Sequence, residues 1–364
     1  MFPYWLLFTL FAAGAVQYDR GAEQQARRST VLLSLASLFV VAMIGLRYQV
    51  GGDWQVYLFI FNENRILNFA QMLSQDDPGY NLLNWVVSRL GAEIWLSNLV
   101  CGMLFCWGLV TFSKEQPNPW LAFVVAVPYL VIVVAMGYAR QGVAIGLIMG
   151  AIVAWDKGRI IRFGLCILLA ATFHKTAVAI LPLVALSGTR NRFATGAGVL
   201  IFGALLYRSF LSDHVDRLIT NYVDTAYSSQ GAGIRVAMNL VPAVIYLWLQ
   251  DRFDLTPSQR RMWRYMSFAA LGTLALLIVL PSSTVVDRLA LYLIPLQLFV
   301  FSRLPILFGR DGKTNGQMTL LVVAYAALLQ FVWLNFAYHA EFWLPYKLWP
   351  FIEGADVTPA GDFF

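Results

Sequence analysis

Charge is scarce in this chain: Asp, Glu, Lys and Arg together make up 13% of its 364 residues, about half the share found in soluble domains. That scarcity excludes an ordinary water-soluble fold. Cysteine is also scarce. The three present, Cys101, Cys106 and Cys166, all fall in apolar runs, which argues against a disulfide or metal role and leaves them as small hydrophobic filler. No Asp-x-Asp triplet occurs, and the acidic residues of the outer loops lack metal-ligand spacing. Gly-rich phosphate loops are absent as well. These gaps argue against a nucleotide-sugar enzyme working in the cytoplasm. They fit chemistry on a lipid-borne substrate, with Arg in the place of a divalent cation, and neither metal nor cofactor is expected. With no low-complexity tract, soluble domain or clear internal repeat, residues 1–364 read as one transmembrane domain.

What the chain does hold is apolar. It is 59% hydrophobic and 15% aromatic, with a mean hydropathy of +0.64. The pattern predicts an all-α polytopic membrane protein with about twelve spans. They lie roughly at 2–17, 30–46, 94–112, 120–137, 140–155, 159–173, 176–187, 195–210, 234–249, 264–281, 288–303 and 318–336. The shortest, notably 176–187, read as broken helices or as cavity lining.

Alternate connections are basic. Arg20, Arg27, Arg28, Lys114, Lys157, Arg159, Arg162, Arg190, Arg192, Arg252, Arg260, Arg261, Arg264, Arg303, Arg310 and Lys313 share one side, sixteen of the 26 Lys and Arg. Cytoplasmic loops keep such residues, so both termini are expected outside the cytoplasm. The net charge of +6 is therefore mostly topology and implies no nucleic-acid partner. The first span lacks a basic leader, so Ala12-Ala13-Gly14-Ala15 is weak evidence for signal cleavage.

The outer side carries the remaining ten cations and all three His. After the second span come Arg47-Tyr48-Gln49-Val50-Gly51-Gly52-Asp53, then Trp54, Tyr57, Leu58 and Phe61 at helical spacing, predicting a short interfacial helix. A second piece up to Leu90 places Leu82, Leu83, Val86, Val87 and Leu90 on one face. The loop 47–93 thus reads as a cap, to which loop 211–233 and tail 337–364 are candidates to add.

Arg140, Lys175, Arg235 and Arg288 each stand in the first turn of an expected helix that starts on this side. A cation there is mildly disfavoured by the helix dipole, until an anion binds between them. Phosphate and pyrophosphate fit, because Arg grips two oxygens at once. Snorkelling to lipid headgroups is the competing explanation for each one singly. Behind Arg140-Gln141, Gly142, Gly146 and Gly150 make a stripe for close helix packing. His174 adjoins Lys175, while His214 and His339 read as surface residues. Asp53 reads as the N-cap of the Trp54 helix, as a carboxylate able to take a hydroxyl proton, or as both. Asp287 reads as a residue that orients Arg288.

Several of these motifs resemble the EpsG family. Val50-Gly51-Gly52-Asp53 with Tyr57, and Asp77-Pro78-Gly79-Tyr80-Asn81-Leu82-Leu83-Asn84, are similar to its outer-loop signatures. Arg140-Gln141-Gly142-Val143-Ala144 resembles its Arg-Gln-x-x-Ala helix start. Phe173-His174-Lys175-Thr176-Ala177 resembles its Phe-His-x-Ser/Thr-Ala junction. Asp287-Arg288-Leu289-Ala290-Leu291-Tyr292 is similar to its acidic-Arg-x-x-x-Tyr segment. The matches come in family order over about residues 45–300. The family usually has Glu where Asp77 stands and a bulkier or polar residue in place of Gly52, so the resemblance assigns Asp77 no role.

The resemblance implies a Wzy-type polymerase of bacterial exopolysaccharide or surface polysaccharide, multi-pass in the inner (plasma) membrane and active on its extracytoplasmic side. A GT-C-like arrangement is the accompanying fold expectation. The expected substrates are a polyprenyl-pyrophosphate-linked oligosaccharide donor and acceptor, in contact with the bilayer. A flippase and a chain-length regulator are the partner proteins such a role would involve. Arg140 and Arg288 are expected on the pyrophosphate, with Lys175 and Arg235 behind them. Asp53 is the first candidate base and His174 the second. Arg47, Tyr57, Tyr80, Gln141 and Tyr292 are expected substrate contacts. A flippase for lipid-linked sugars is a different class of reading; it should carry its cations through the bilayer, not at one rim. A glycan ligase or a single-sugar transferase with a lipid-phosphate donor would use the same donor grip.

Overall fold

The computed structural model describes residues 1–18, 23–180, 182–183, 187, 231–280, 283–310 and 313–351. The expected span 195–210, nearly all of loop 211–233 with His214, and Arg20, Arg190 and Arg192 lie outside the described residues. Among the described residues the chain is helical, with one isolated antiparallel bridge between Arg47 and Leu348.

Two helices, α1 (Phe2–Gln17) and α2 (Glu23–Gly45), lead into three short ones: α3 (Trp54–Ile66), α4 (Phe69–Leu73) and α5 (Pro78–Arg89). Then follow α6 (Ile94–Ser113), α7 (Pro119–Ala126), a π-helical stretch (Val127–Ala135), α8 (Ala139–Asp156) and α9 (Ile160–Phe173). A 3₁₀ turn (Lys175–Ile180) precedes α10 (Ala232–Leu249), α11 (Pro257–Val279), α12 (Ser283–Leu291), α13 (Ile294–Leu307) and α14 (Gly316–Phe336). Local chemistry sets several of the starts. Asn118 caps α7 and Asn315 caps α14, while Thr256 and Gln259 form a reciprocal capping box on α11. Pro119 and Pro257 occupy first-turn positions, where no N–H is needed.

Six described stretches are long and apolar enough to cross a membrane: Arg28–Gly45, Ile94–Ser113, Ala232–Arg252, Pro257–Val279, Val286–Leu307 and Gly316–Phe336. Phe2–Gln17, Pro119–Ala135 and Ile160–Phe173 are shorter apolar helices. The expected span 288–303 falls within Val286–Leu307, with its helix interrupted at Tyr292–Leu293 between α12 and α13, and the one at 176–187, read as broken or cavity-lining, begins as a 3₁₀ turn. Pro295 stands in the first turn of α13; without an N–H and with a ring that would clash with the preceding turn, it cannot continue α12.

Helix α8 is the buried axis, closed off from Gly142 to Ala154. Its glycines bring neighbouring backbones together as their spacing predicts. A Cβ on Gly108 of α6 would sit 1.7 Å from the Gly146 carbonyl oxygen, and one on Gly146 would sit 2.6 Å from the Phe105 Cα. A Cβ on Gly150 would meet the Trp107 ring at 2.6 Å. Cys101, Cys106 and Cys166 are free thiols buried in this packing.

Helices α3 to α5 occupy the loop 47–93. Trp54, Tyr57, Leu58 and Phe61 are buried on α3, as their spacing predicts. The apolar face expected on α5 is split. Leu82, Val86 and Leu90 are exposed, and Tyr80, Asn81, Asn84 and Val87 are buried instead. The surface beneath α5 is polar and aromatic: Asn64 Nδ2 donates to Asn81 Oδ1 at 2.7 Å, and the Tyr57 and Tyr80 rings meet edge-on at 5.5 Å. The apolar face is left outward, suited to the lipid boundary. The tail completes the cap. Trp343 Nε1 donates to the Ile132 carbonyl at 2.7 Å, a carbonyl within the π-helical stretch, and the Trp349 N–H donates to the Leu46 carbonyl at 2.7 Å.

Candidate functional site

The site begins at Gly51. Its φ of +107° disfavours a side chain, and a Cβ there would lie 2.6 Å from the Met136 carbonyl oxygen. Only glycine lets the loop lie directly on the end of the π-helical stretch, beside the start of α8. Asp53 follows two residues later, in the N-cap position of α3. Its side chain makes no capping bond, so the capping explanation of this residue fails. Burial raises the Asp53 carboxyl above its ordinary value, against the opposing pull of Arg288 and Arg140.

Across from it, Asp77 gathers three groups. Arg140 Nη1 donates to Asp77 Oδ2 at 2.8 Å. His174 Nδ1 stands 3.7 Å from the same oxygen, an electrostatic contact too long for a hydrogen bond. The Lys175 N–H donates to Asp77 Oδ1 at 3.3 Å, while Lys175 Nζ reaches Asp76 Oδ1 at 3.4 Å. Burial works against this carboxylate, but His174, Arg140 and the Lys175 N–H outweigh it and hold Asp77 below the ordinary aspartate range. Among the described residues, neither buried ring nitrogen of His174 has a hydrogen-bond partner. The Arg140 guanidinium also stands 5.7 Å from the centroid of the Tyr57 ring. Burial pushes the Tyr57 phenol up to about 12, so Tyr57 is neutral near neutral pH and is no candidate base.

Arg288 closes the group from the α12 side, through its own backbone. Gln141 Nε2 donates to the Arg288 carbonyl at 2.8 Å. Its side chain is exposed, and it stands in the last turn of α12 rather than in a first turn. A cation is favoured there by the helix dipole, which corrects the expected conflict. Arg140 and His174 thus meet at Asp77, while Arg140 and Arg288 both act on Asp53. Asp287 pairs with Arg235, the Arg235 Nε donating to Asp287 Oδ1.

Five expected substrate contacts, Arg47, Tyr57, Tyr80, Gln141 and Tyr292, are buried in this structure. Arg47 is 1% exposed. It donates to the Ile44 carbonyl, to the Val50 carbonyl at 3.2 Å and to Asn98 Oδ1 at 3.2 Å. Its fork is therefore spent on the junction between α2 and the cap. Tyr292 shares a 3.0 Å hydrogen bond with Thr176 Oγ1, tying α12 to the 3₁₀ turn. Asp77 is the residue that sequence reasoning left without a role. The available signal was a pair of carboxylates, Asp76-Asp77, set before Pro78 on a side otherwise rich in cations.

Among the described residues, an all-helical architecture with six helical stretches long and apolar enough to cross a membrane, and with cations and carboxylates gathered beside α3 to α5, is that of a polytopic membrane protein. The chain belongs to the EpsG family, whose model matches residues 30–348. Membership associates it with a polysaccharide polymerase-like role in the membrane. No curated protein and no solved structure matches it.

Proposed function

We propose that this protein joins polyprenyl-pyrophosphate-linked glycan repeat units on the extracytoplasmic side of the bacterial inner membrane. An acceptor hydroxyl attacks the anomeric carbon of the donor glycan. The new C–O bond forms as the bond to the pyrophosphate oxygen breaks, and polyprenyl pyrophosphate leaves with the bonding electrons. Asp53 accepts the hydroxyl proton, with His174 the second candidate for that role. The leaving group gains negative charge in the transition state, so Arg140 and Arg288 stabilise it most where it matters for rate. Lys175, held by Asp76, and Arg235, held by Asp287, are secondary contacts. Tyr57, Tyr80, Gln141, Tyr292 and Arg47 act as supports that fix these groups. About twelve spans, a GT-C-like arrangement and extracytoplasmic termini belong to the same proposal.

The observation that carries this reading is the meeting of Arg140, His174 and Lys175 on one buried carboxylate, with Asp53 in the field of Arg140 and Arg288. Such a cluster at the end of α8 suits chemistry at one rim of the bilayer. The test is purified protein in lipid nanodiscs given a polyprenyl-pyrophosphate-linked oligosaccharide, with products read by mass. The expected result is a longer lipid-linked glycan plus one released polyprenyl pyrophosphate per bond formed, undiminished by excess chelator. Transfer of a single sugar, attachment to a non-repeat acceptor, or translocation without new bonds would overturn it. Activity lost to chelator and restored by Mg²⁺ would overturn the metal-free part.

A further inference from the structure

Asp77 is held where an ordinary aspartate would not settle. Its φ of 55° and ψ of 62° are left-handed, a conformation that among the described residues outside glycine recurs only at Gln49. A non-glycine residue in that region persists only where its surroundings fix it. The fixing contacts are visible. A Cβ on Gly79 would lie 2.4 Å from Thr172 Oγ1, so the α5 start is pressed against the end of α9. Asn81 Nδ2 donates to the Asp76 carbonyl at 2.5 Å, binding the turn from within.

The groups around this carboxylate are only partly satisfied. Arg140 gives one of its five N–H donors to Asp77 and also interacts with the Tyr57 side chain, and its own side chain retains 28% exposure against 5% for Asp77. Among the described residues neither ring nitrogen of His174 makes a hydrogen bond, and Nδ1 faces Asp77 Oδ2 at 3.7 Å. Asp77 thus holds one side of both Arg140 and His174.

We propose that Asp77 is a positioning residue that aims Arg140 and His174 at the diphosphate. The proposal rests on the polymerase reading. Its physical content is orientation: Arg140 stabilises the charge that develops as the sugar–oxygen bond breaks only while its fork is held in line with the leaving oxygens, and Asp77 supplies that hold. Removing the carboxylate charge releases Arg140 from this alignment and slows the reaction, while the repulsion it removes tightens binding of the free diphosphate.

Two isosteric or conservative variants test this, Asp77→Asn and Asp77→Glu, each checked for membrane insertion and thermal stability. Asp77→Asn keeps an oxygen for the Lys175 N–H, so the turn is preserved while the charge is lost. In the nanodisc extension assay, Asp77→Asn is expected to lower kcat by about 10²-fold, the scale of a misplaced catalytic group, without raising the donor KM. It should also bind farnesyl pyrophosphate more tightly than wild type, by several-fold. Asp77→Glu should recover most of the kcat. A kcat unchanged in Asp77→Asn, or weaker farnesyl pyrophosphate binding at wild-type stability, would overturn the proposal. The two readings fail differently: normal extension by Arg140→Ala removes the polymerase mechanism, whereas wild-type kinetics in Asp77→Asn with an inactive Arg140→Ala removes Asp77 alone.

Discussion

At Asp53 two effects oppose each other. Burial favours the neutral carboxyl, and the charges of Arg288 and Arg140 favour the carboxylate; burial wins, and the proton is held to higher pH than in an ordinary aspartate. A base must be deprotonated to act, so activity should fall as the pH drops through this raised value, above the ordinary value of about 4. Arg288→Gln removes an opposing charge, raises the Asp53 value further, and should move the acidic limb of kcat/KM to higher pH. A limb that stays put or moves down would show that Asp53 does not set it. Asp53→Asn should cost about 10²-fold or more in rate and abolish the limb; a surviving limb would transfer the role of base to His174. Much of this scale was legible in the chain. Arg140, His174, Arg288 and Asp53 were all singled out by type and side, and Arg140 links them: it meets His174 at Asp77 and acts with Arg288 on Asp53. Asp77 was not legible, because its importance lies in partners 63 and 98 residues away. The burial of Arg47 was equally hidden, since its acceptors are mostly backbone carbonyls.

At the scale of elements, the contact between α6 and α8 decides how firmly Arg140 is placed. The backbones touch through Gly108 and Gly146, with no room for a methyl group. Gly108→Ala should force the helices apart at a cost of about 1–3 kcal/mol, as over-packing does. Detergent-solubilised protein should then unfold at a lower Tm than wild type, and an unchanged Tm would contradict the contact. This packing could be read from Gly142, Gly146 and Gly150 at spacing four, because small residues have few other reasons to recur that way. The α5 face was read only in part. Leu82, Val86 and Leu90 share an exposed face as their spacing implies, but Val87 turns inward beside Tyr80, Asn81 and Asn84. The division of α12 from α13 was signalled by Pro295 alone, within a run whose hydropathy shows no interruption.

For the whole molecule, hydropathy revealed a membrane-crossing bundle, and alternating basic loops gave its expected orientation. The return of the tail had no local signal. Trp343 reaches the Ile132 carbonyl across 211 residues, and Tyr4 donates to the Trp343 carbonyl across 339. These contacts seat the tail and the cap on the end of the bundle that carries Arg140, so the site is built by parts far apart in the chain. The central claim is that Arg140 takes up the charge of the departing diphosphate. Its most direct test is chain extension by Arg140→Ala in nanodiscs, at wild-type membrane insertion and Tm. The expected result is a loss of at least about 10²-fold in kcat, the scale for removing one preorganised oxyanion contact, with little polymer beyond the starting unit. Polymer of normal length, made at the normal rate, would contradict it.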